Sequence, residues 1–257
     1  MSTFLNEIIA LKKQRVAQAK LNYQKPRNKP QRTPHLLRQA LQNKDKINII
    51  AEIKRASPSK GVINDQIDVA ETAKMYETGG ACAISVLTEE DRFQGSLDDL
   101  KTARGAVSIP LLRKDFIFDE FQIHEAADAG ADVILLIVAM LDDSTLARFH
   151  NNAEQKLGLD ALVEVHTLQE LERAKQIGAK IIGVNNRDLH SFKVSLDVSR
   201  ELIKHAPKDA LLIAESGIST KGEIIELREL GYSGFLIGES LMKAHNIEST
   251  LQNLVYP

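Results

Sequence analysis

The chain has 257 residues, 43% of them hydrophobic and 26% charged, with a formal net charge of −2. That length suits one large domain, and α/β barrels commonly use it for one. The near-neutral balance argues against a nucleic-acid partner, which leaves a basic footprint; no run of about eighteen apolar residues exists to span a membrane; and a single cysteine, Cys82, excludes an internal disulfide or a multi-cysteine metal site.

The N-terminus, MSTFLNEIIALKKQRVAQAK, mixes acidic and basic residues and lacks the apolar core of a secretory leader, so a cytoplasmic protein is expected. Phe4, Ile8 and Leu11 recur at i, i+4 and i+7, with Leu5 and Ile9 beside them, which predicts an amphipathic helix. The basic, proline-rich stretch Lys25–Pro34 cannot continue it and reads as a solvated linker.

From Asn48 onward the chain settles into a rhythm. Eight apolar, β-rich runs follow in order: INIIAEI, CAISVL, IPLLRKD, DVILLIV, ALVEV, KIIGVN, ALLIAES and SGFLIG. Cys82 lies in the second and reads as a small buried hydrophobe. Between the runs lie helical patterns such as DVAETAKMYETG, DEFQIHEAADAG, SLDVSRELIKH and TKGEIIELRELG. The segments TGGACAISVL, DAGADVILLIV, QIGAKIIGVN and ELGYSGFLIG repeat one theme: a helix closing on glycine, a short turn, then a strand. Glycine there predicts a left-handed helix cap, and the period of roughly twenty to thirty-five residues is that of a βα unit. Continuous apolar strands are those of a parallel sheet buried on both faces. Eight units, with no glycine-rich dinucleotide fingerprint after the first strand, favour a closed (β/α)₈ barrel over an open doubly wound sheet.

Barrel sites lie at the C-terminal ends of the strands. The first run ends with Glu52, Lys54 and Ser57, the third with Arg113, Lys114, Asp115 and Phe116, the fifth with Glu164 and His166, the sixth with Asn185, Asn186, Arg187 and Asp188, and the seventh with Glu215, Ser216 and Gly217. Alternate strand residues share a face, so Ile50 goes with Glu52 and Lys54, Leu112 with Lys114, and Leu162 with Glu164. If those faces point inward, two lysines and two glutamates converge at the mouth, because buried charges need partners or a purpose. The alternative is a set of outward salt bridges at the rim. AESGIST and LIGESLM each place glycine directly after a strand, Gly217 and Gly238, where bare backbone can approach a phosphate and a short extra helix can follow. His166 reads as a structural or surface group with a supporting role beside Glu164 as the alternative, and His124 as a helix-surface residue. No P-loop, zinc-protease or nucleophile-elbow motif is present.

IIAEIKRASPSKG resembles the signature of the indole-3-glycerol phosphate synthases. VLTEEDRFQGS, PLLRKDFI, GADVILLIVAML, LVEVH, GVNNRDL, IAESGI and FLIGESLM follow in the family's order. The resemblance implies an α/β fold, a (β/α)₈ TIM barrel with an extra N-terminal helical segment. That is one barrel domain over residues 1–257, of which 1–47 forms the extension, with no room for a fused domain. It implies no cofactor and no metal, a small phosphorylated substrate, no nucleic-acid or membrane partner, and a monomer, with a homodimer as the alternative. The implied reaction turns 1-(2-carboxyphenylamino)-1-deoxyribulose 5-phosphate into indole-3-glycerol phosphate, carbon dioxide and water. By resemblance Lys114 is the general acid of ring closure, and Lys54, Glu52 and Glu164 share the acid–base work of dehydration. Asn185 and Arg187 hold the ring carboxylate and ribulose hydroxyls, and Ser57 sits near the phosphate or ribulose end of a mobile loop. Phe93, Phe116, Leu135, Ile137 and Leu189 enclose the aromatic ring. Ser216, Gly217, Gly238 and Glu239 hold the phosphate, Glu239 through its backbone N–H alone. With no tryptophan in the chain, Phe4 is the expected aromatic lid. A phosphoribosylanthranilate isomerase, the competing barrel, relies on a cysteine and an aspartate where this first strand offers Glu52 and Lys54. A catalytically dead, ligand-binding barrel is disfavoured by the intact lysines and glutamates.

Overall fold

The computed structural model describes residues 3–24 and 33–256; most of the expected linker, residues 25–32, lies outside them. Eight strands, β1 (Ile49–Ile53), β2 (Ala83–Leu87), β3 (Leu111–Lys114), β4 (Val133–Ile137), β5 (Asp160–Val165), β6 (Ile181–Asn185), β7 (Leu211–Glu215) and β8 (Gly234–Ile237), close into a parallel barrel in chain order. The ring shuts where β1 pairs with β8, Ile50 opposite Leu236, while its other edge pairs with β2, Ile50 opposite Ala83. These are the eight apolar runs of the sequence, trimmed at their ends. Most strand residues are buried on both faces, as a parallel sheet covered by helices requires.

The helices α1 (Thr3–Asn22) and α2 (Leu36–Ala40) precede the barrel; α3 (Val69–Thr78), α4 (Leu97–Ala106), α5 (Glu120–Asp128), α6 (Asp143–Asn151), α7 (Leu168–Gln176), α8 (Asp197–Leu202) and α9 (Lys221–Leu230) surround it. A short α10 (Glu239–Met242) and α11 (Ile247–Val255) follow β8. Side chains cap the helices where the sequence supplies them: Asp68, Ser96, Asp119, Asp142, Thr167 and Thr220 each accept a backbone N–H of the first turn. The repeated glycine adopts the left-handed conformation at Gly130, Gly178 and Gly231, as expected. In the first repeat Gly79 stays helical and Gly80 takes the turn, with φ +93°.

The N-terminal segment clasps both ends of the barrel. Below, Leu37 and Leu41 are buried, Arg38 reaches Glu154 at 2.7 Å and Asp160 at 3.2 Å, and the Asn48 amide donates to the carbonyls of Leu41, Asn43 and Ser233. Above, α1 lies across the C-terminal ends of the strands. Its buried stripe is Leu5, Ile8, Lys12 and Val16, not the expected set, and Leu11 is 45% exposed. Burying Leu5 and Ile8 contributes roughly 1.5–3 kcal/mol each. The pattern shifts because a cation occupies the stripe: Lys12 Nζ lies 2.7 Å from Asp115, whose side chain is fully buried just past β3. Arg15 grips Asp91 through two bonds of 2.6 Å, and Lys20 meets Asp119 at 2.5 Å.

Candidate active site

The strand ends and the loops that follow them surround a cavity of about 680 Å³ at the C-terminal mouth of the barrel. Glu52, Lys54, Lys114, Glu164 and Asn185 line it, as do Ser57, Phe93, Phe116, Leu135, Ile137, Arg187, Leu189, Ser216, Gly217, Gly238 and Glu239. Every residue to which the resemblance gives a catalytic or binding role thus lines one cavity, while Arg113, His166, Asn186 and Asp188, also at strand ends, do not. The parity argument explains why: Glu52, Lys114 and Glu164 follow an inward residue by two positions on their strands. Val133, two positions before Leu135, stays in the barrel core.

Lys114 Nζ occupies the centre of the charged floor. It donates to Glu164 Oε2 at 3.1 Å and to Glu215 Oε2 at 2.5 Å. Burial alone would push its ammonium down, but Glu215, Glu164 and Glu52 outweigh that and hold it well above the usual lysine range. Glu164 is the mirror case. Burial would raise its carboxyl, and Lys114 and His166 together keep it below the ordinary carboxylate range. Burial pushes the Glu215 carboxyl up to about 7, with Glu164 and Glu52 adding and Lys114 opposing. Lys54 forms a separate pair with Glu52 Oε1 at 2.6 Å. The floor therefore offers one firmly protonated amine between carboxyls of opposite tendency, the arrangement that separates acid from base.

The walls divide by chemistry. Phe93 and Phe116 stand with ring centroids 6.1 Å apart, near Leu135 and Ile137, and make an apolar slot. Phe4 closes it from above, meeting Phe116 edge-on at 6.0 Å and Phe192 at 5.2 Å. Arg187 lies at the slot's polar rim, donating to the Phe192 carbonyl at 3.1 Å and reaching Ser59 Oγ at 3.4 Å, while its backbone N–H is taken by Asn185 Oδ1. Ser57 belongs to a two-residue antiparallel ribbon, Ala56–Ser57 with Gly61–Val62, within the segment expected as a mobile loop.

Opposite the slot, the backbone turns sharply after β7. Ser216 and Gly217 are both left-handed, at φ +62° and +77°. A serine in that region is uncommon and points to a turn shaped for a purpose. A side chain on Gly217 would strike Val194 at 2.3 Å, and one on Gly238 would strike Glu52 Oε1 at 2.6 Å, so both glycines allow a close approach that no other residue permits. The Glu239 carboxylate turns to Lys243, 2.7 Å away, and Lys60 stands 4.0 Å off. Among the described residues no group of three or more His, Cys, Asp or Glu is arranged to hold a metal.

A protein-family model described as indole-3-glycerol phosphate synthase matches residues 5–254. The chain belongs to this family. Proteins named indole-3-glycerol phosphate synthase from Carboxydothermus hydrogenoformans and from Legionella pneumophila strain Paris are each 45% identical to it, over 98% and 99% of this chain and 99% of theirs. One from Zymomonas mobilis subsp. pomaceae is 43% identical over 99% of both chains. A solved thiamine phosphate pyrophosphorylase from Pyrococcus furiosus superposes with a TM-score of 0.60 at 18% identity, over 81% of this chain and 93% of its own, a likeness of fold alone. The indole-3-glycerol phosphate synthases are carbon–carbon lyases of tryptophan biosynthesis, and this chain is a lyase of that family.

Several residues of this synthase-family site lie beyond the sequence reading. Glu215, the closest partner of Lys114, was placed at a strand end but given no part. It shares a face with Leu211 and Ile213, so the parity used for Glu52 and Glu164 would have found it. Asp115 also stands at a strand end, but nothing in the sequence shows its ties to Lys12, Thr88 and Arg113, and Phe192, with φ +56°, carries no signal of its own.

Proposed function

We propose that the chain catalyses the family reaction on its full substrate, 1-(2-carboxyphenylamino)-1-deoxyribulose 5-phosphate, and that its groups divide the steps as follows. The ring carbon that bears the carboxylate forms a bond to the ketone carbon, and the ketone oxygen gains the negative charge. Lys114 donates a proton to that oxygen. It remains charged while buried because three carboxylates surround it. Carbon dioxide then leaves, returning its electron pair to the ring system. Dehydration needs an acid for the departing hydroxyl and a base for a ring proton, and Lys54, Glu52 and Glu164 supply these. Glu164, kept ionised, suits the base, and Lys54, paired with Glu52, suits the acid. General acid–base groups of this kind contribute about 10²–10⁴ each.

The rest of the cavity serves geometry. Phe93, Phe116, Leu135, Ile137 and Leu189 take the aromatic ring and fold it over the ketone, a proximity effect worth on the order of 7 kcal/mol or more in favourable cases. Arg187 suits the ring carboxylate, since its planar fork matches two oxygens, and Asn185 and Ser57 face the ribulose hydroxyls. The phosphate lies against the backbone at Ser216, Gly217, Gly238 and Glu239, with the Glu239 carboxylate held aside by Lys243. The observation that carries this reading is Lys114, bound to Glu164 and Glu215 on the floor of a cavity whose walls are apolar on one side and bare backbone on the other. Incubation with the substrate should produce indole fluorescence; folded protein that yields none refutes it.

A further inference from the structure

His166 stands two positions beyond Glu164, on the connection from β5 to α7. Its side chain is 10% exposed. Nδ1 lies 3.0 Å from Glu170 Oε2, and the same oxygen accepts the His166 backbone N–H at 2.8 Å. Glu170 is fixed in turn, because it sits in the first turn of α7, where its own N–H bonds to the capping Thr167 hydroxyl. The imidazole is thereby anchored to a rigid helix end. Its other nitrogen, Nε2, faces Glu164 Oε1 at 3.4 Å, while Glu164 Oε2 accepts from Lys114. The buried carboxylate thus has a nitrogen facing each oxygen, Lys114 Nζ in a hydrogen bond and His166 Nε2 at ion-pair distance with no hydrogen-bond partner of its own.

A ring whose two nitrogens both face carboxylates is best matched by the cation, the form with an N–H on each. The charge balance of the mouth agrees. In the ion pairs of the floor three carboxyls, Glu52, Glu164 and Glu215, face two amines, Lys54 and Lys114, so a further cation beside Glu164 offsets the charge that Glu215, raised to about 7, still carries. The charged groups bearing on the ring are Glu164 from β5 and Glu170 from α7, with Lys114 beyond Glu164. Burial would push the imidazole down, but Glu164 and Glu170 outweigh it and hold it up at about 10.

We propose that His166 is a positioning residue: an imidazolium clamped by Glu170 that fixes Glu164 Oε1, so that Glu164 stays ionised and aimed into the cavity beside Lys114. The proposal rests on the reading of Glu164 as an acid–base group. Without the cation, Glu164 is free to rotate onto Lys114 or to take up a proton, and either removes the base that dehydration needs. The loss falls on chemistry, not on substrate binding.

Two variants separate the parts of this role. His166→Asn keeps a donor toward Glu170 and leaves Glu164 Oε1 bare; His166→Gln restores a neutral N–H near Nε2 without the charge. The expected result is a loss of about 10- to 100-fold in kcat for His166→Asn, with KM changed less than about threefold, and partial recovery of kcat in His166→Gln. In both, the acid limb of the kcat–pH profile moves up by about one unit, because a neighbouring cation no longer favours the carboxylate. A wild-type profile and kcat in His166→Asn, or in His166→Gln if the first does not fold, overturns the proposal. Proton–carbon NMR of the His166 ring in the wild-type protein tests the imidazolium without any turnover. A shift constant from pH 6 to 9 supports it, and a midpoint near the ordinary 6.5 overturns it. Failure of the wild-type protein to form an indole product would count against the reaction instead, and would leave the NMR result standing.

Discussion

Gly183→Ala tests whether the placement of Glu215 governs turnover, with a residue outside the cavity lining. Gly183 lies on β6 opposite Ile213 of β7, two positions short of Glu215. A methyl group there would stand 2.1 Å from Glu215 Oε1 and 3.1 Å from Leu162 Cδ1, against about 3.4 Å for an ordinary contact. The first overlap falls on the far end of a flexible side chain whose Oε1 has no hydrogen-bond partner. The carboxylate can therefore retreat by more than about 1 Å, at a cost in stability of about 1–3 kcal/mol. It cannot retreat and keep its 2.5 Å bond to Lys114. Misplacement by about 1 Å costs a catalytic arrangement on the order of 10²-fold. The expected variant unfolds no more than about 10 °C below wild type, has a near-normal KM and loses roughly 10- to 100-fold in kcat. Indole fluorescence gives the rate, and a thermal melt followed by circular dichroism gives the stability. A kcat within twofold of wild type would refute the claim that Glu215 holds Lys114 in its working position.

Lys114→Ala should reduce kcat by about 10²–10⁴ while a substrate analogue still binds, measured by fluorescence titration; near-normal turnover would remove Lys114 as the acid. An analogue lacking the phosphate should bind more weakly by calorimetry, and equal affinity would contradict the site at Gly217 and Gly238. Lys12→Met should destabilise the protein by about 2–3 kcal/mol, less than the about 3–5 lost when a buried charge keeps no partner, because Arg113 and Thr88 still reach Asp115. Asp115 is held below its ordinary value: burial would raise it, and Lys12 and Arg113 outweigh burial. A depressed carboxyl contributes stability above its unfolded value of about 3.9 and loses it as pH falls through the folded value. The stability gap between wild type and Lys12→Met should thus be full at pH 7 and narrow below about pH 4, and a gap independent of pH would contradict the pairing.

The barrel was legible because its determinants are local and repeated. Each strand is a short apolar run, most of the surrounding helices open on a capping side chain, and in the repeated segments a left-handed glycine marks the return to the sheet, so the units could be read one at a time. The N-terminal segment was less legible for the converse reason. Its partners lie far along the chain, and periodicity scores Lys12 as surface and Leu11 as core. The reverse holds because Asp115, some hundred residues away, offers a buried carboxylate that only a cation satisfies.

Within the site, legibility follows the same division. Strand parity carries Glu52, Lys54, Lys114 and Glu164, since a period of two fixes which side chains face the axis. Parity also held Glu215, but the glycine signal beside it drew that strand toward the phosphate. The sequence reading therefore saw two lysines and two glutamates, a neutral set. The structure has a third carboxylate within 2.5 Å of Lys114. That addition changes the physical problem. A lysine facing one carboxylate is a salt bridge, while a lysine facing two, with a third nearby, is an acid locked in its charged form. The surplus charge then requires an answer from elsewhere in the fold. Glu215 answers in part by rising toward neutrality, and the imidazole of His166 answers from the far side of Glu164. No motif encodes that compensation. It arises because four strand ends and one helix start meet at a single buried point, and each group's ionisation is set by the others.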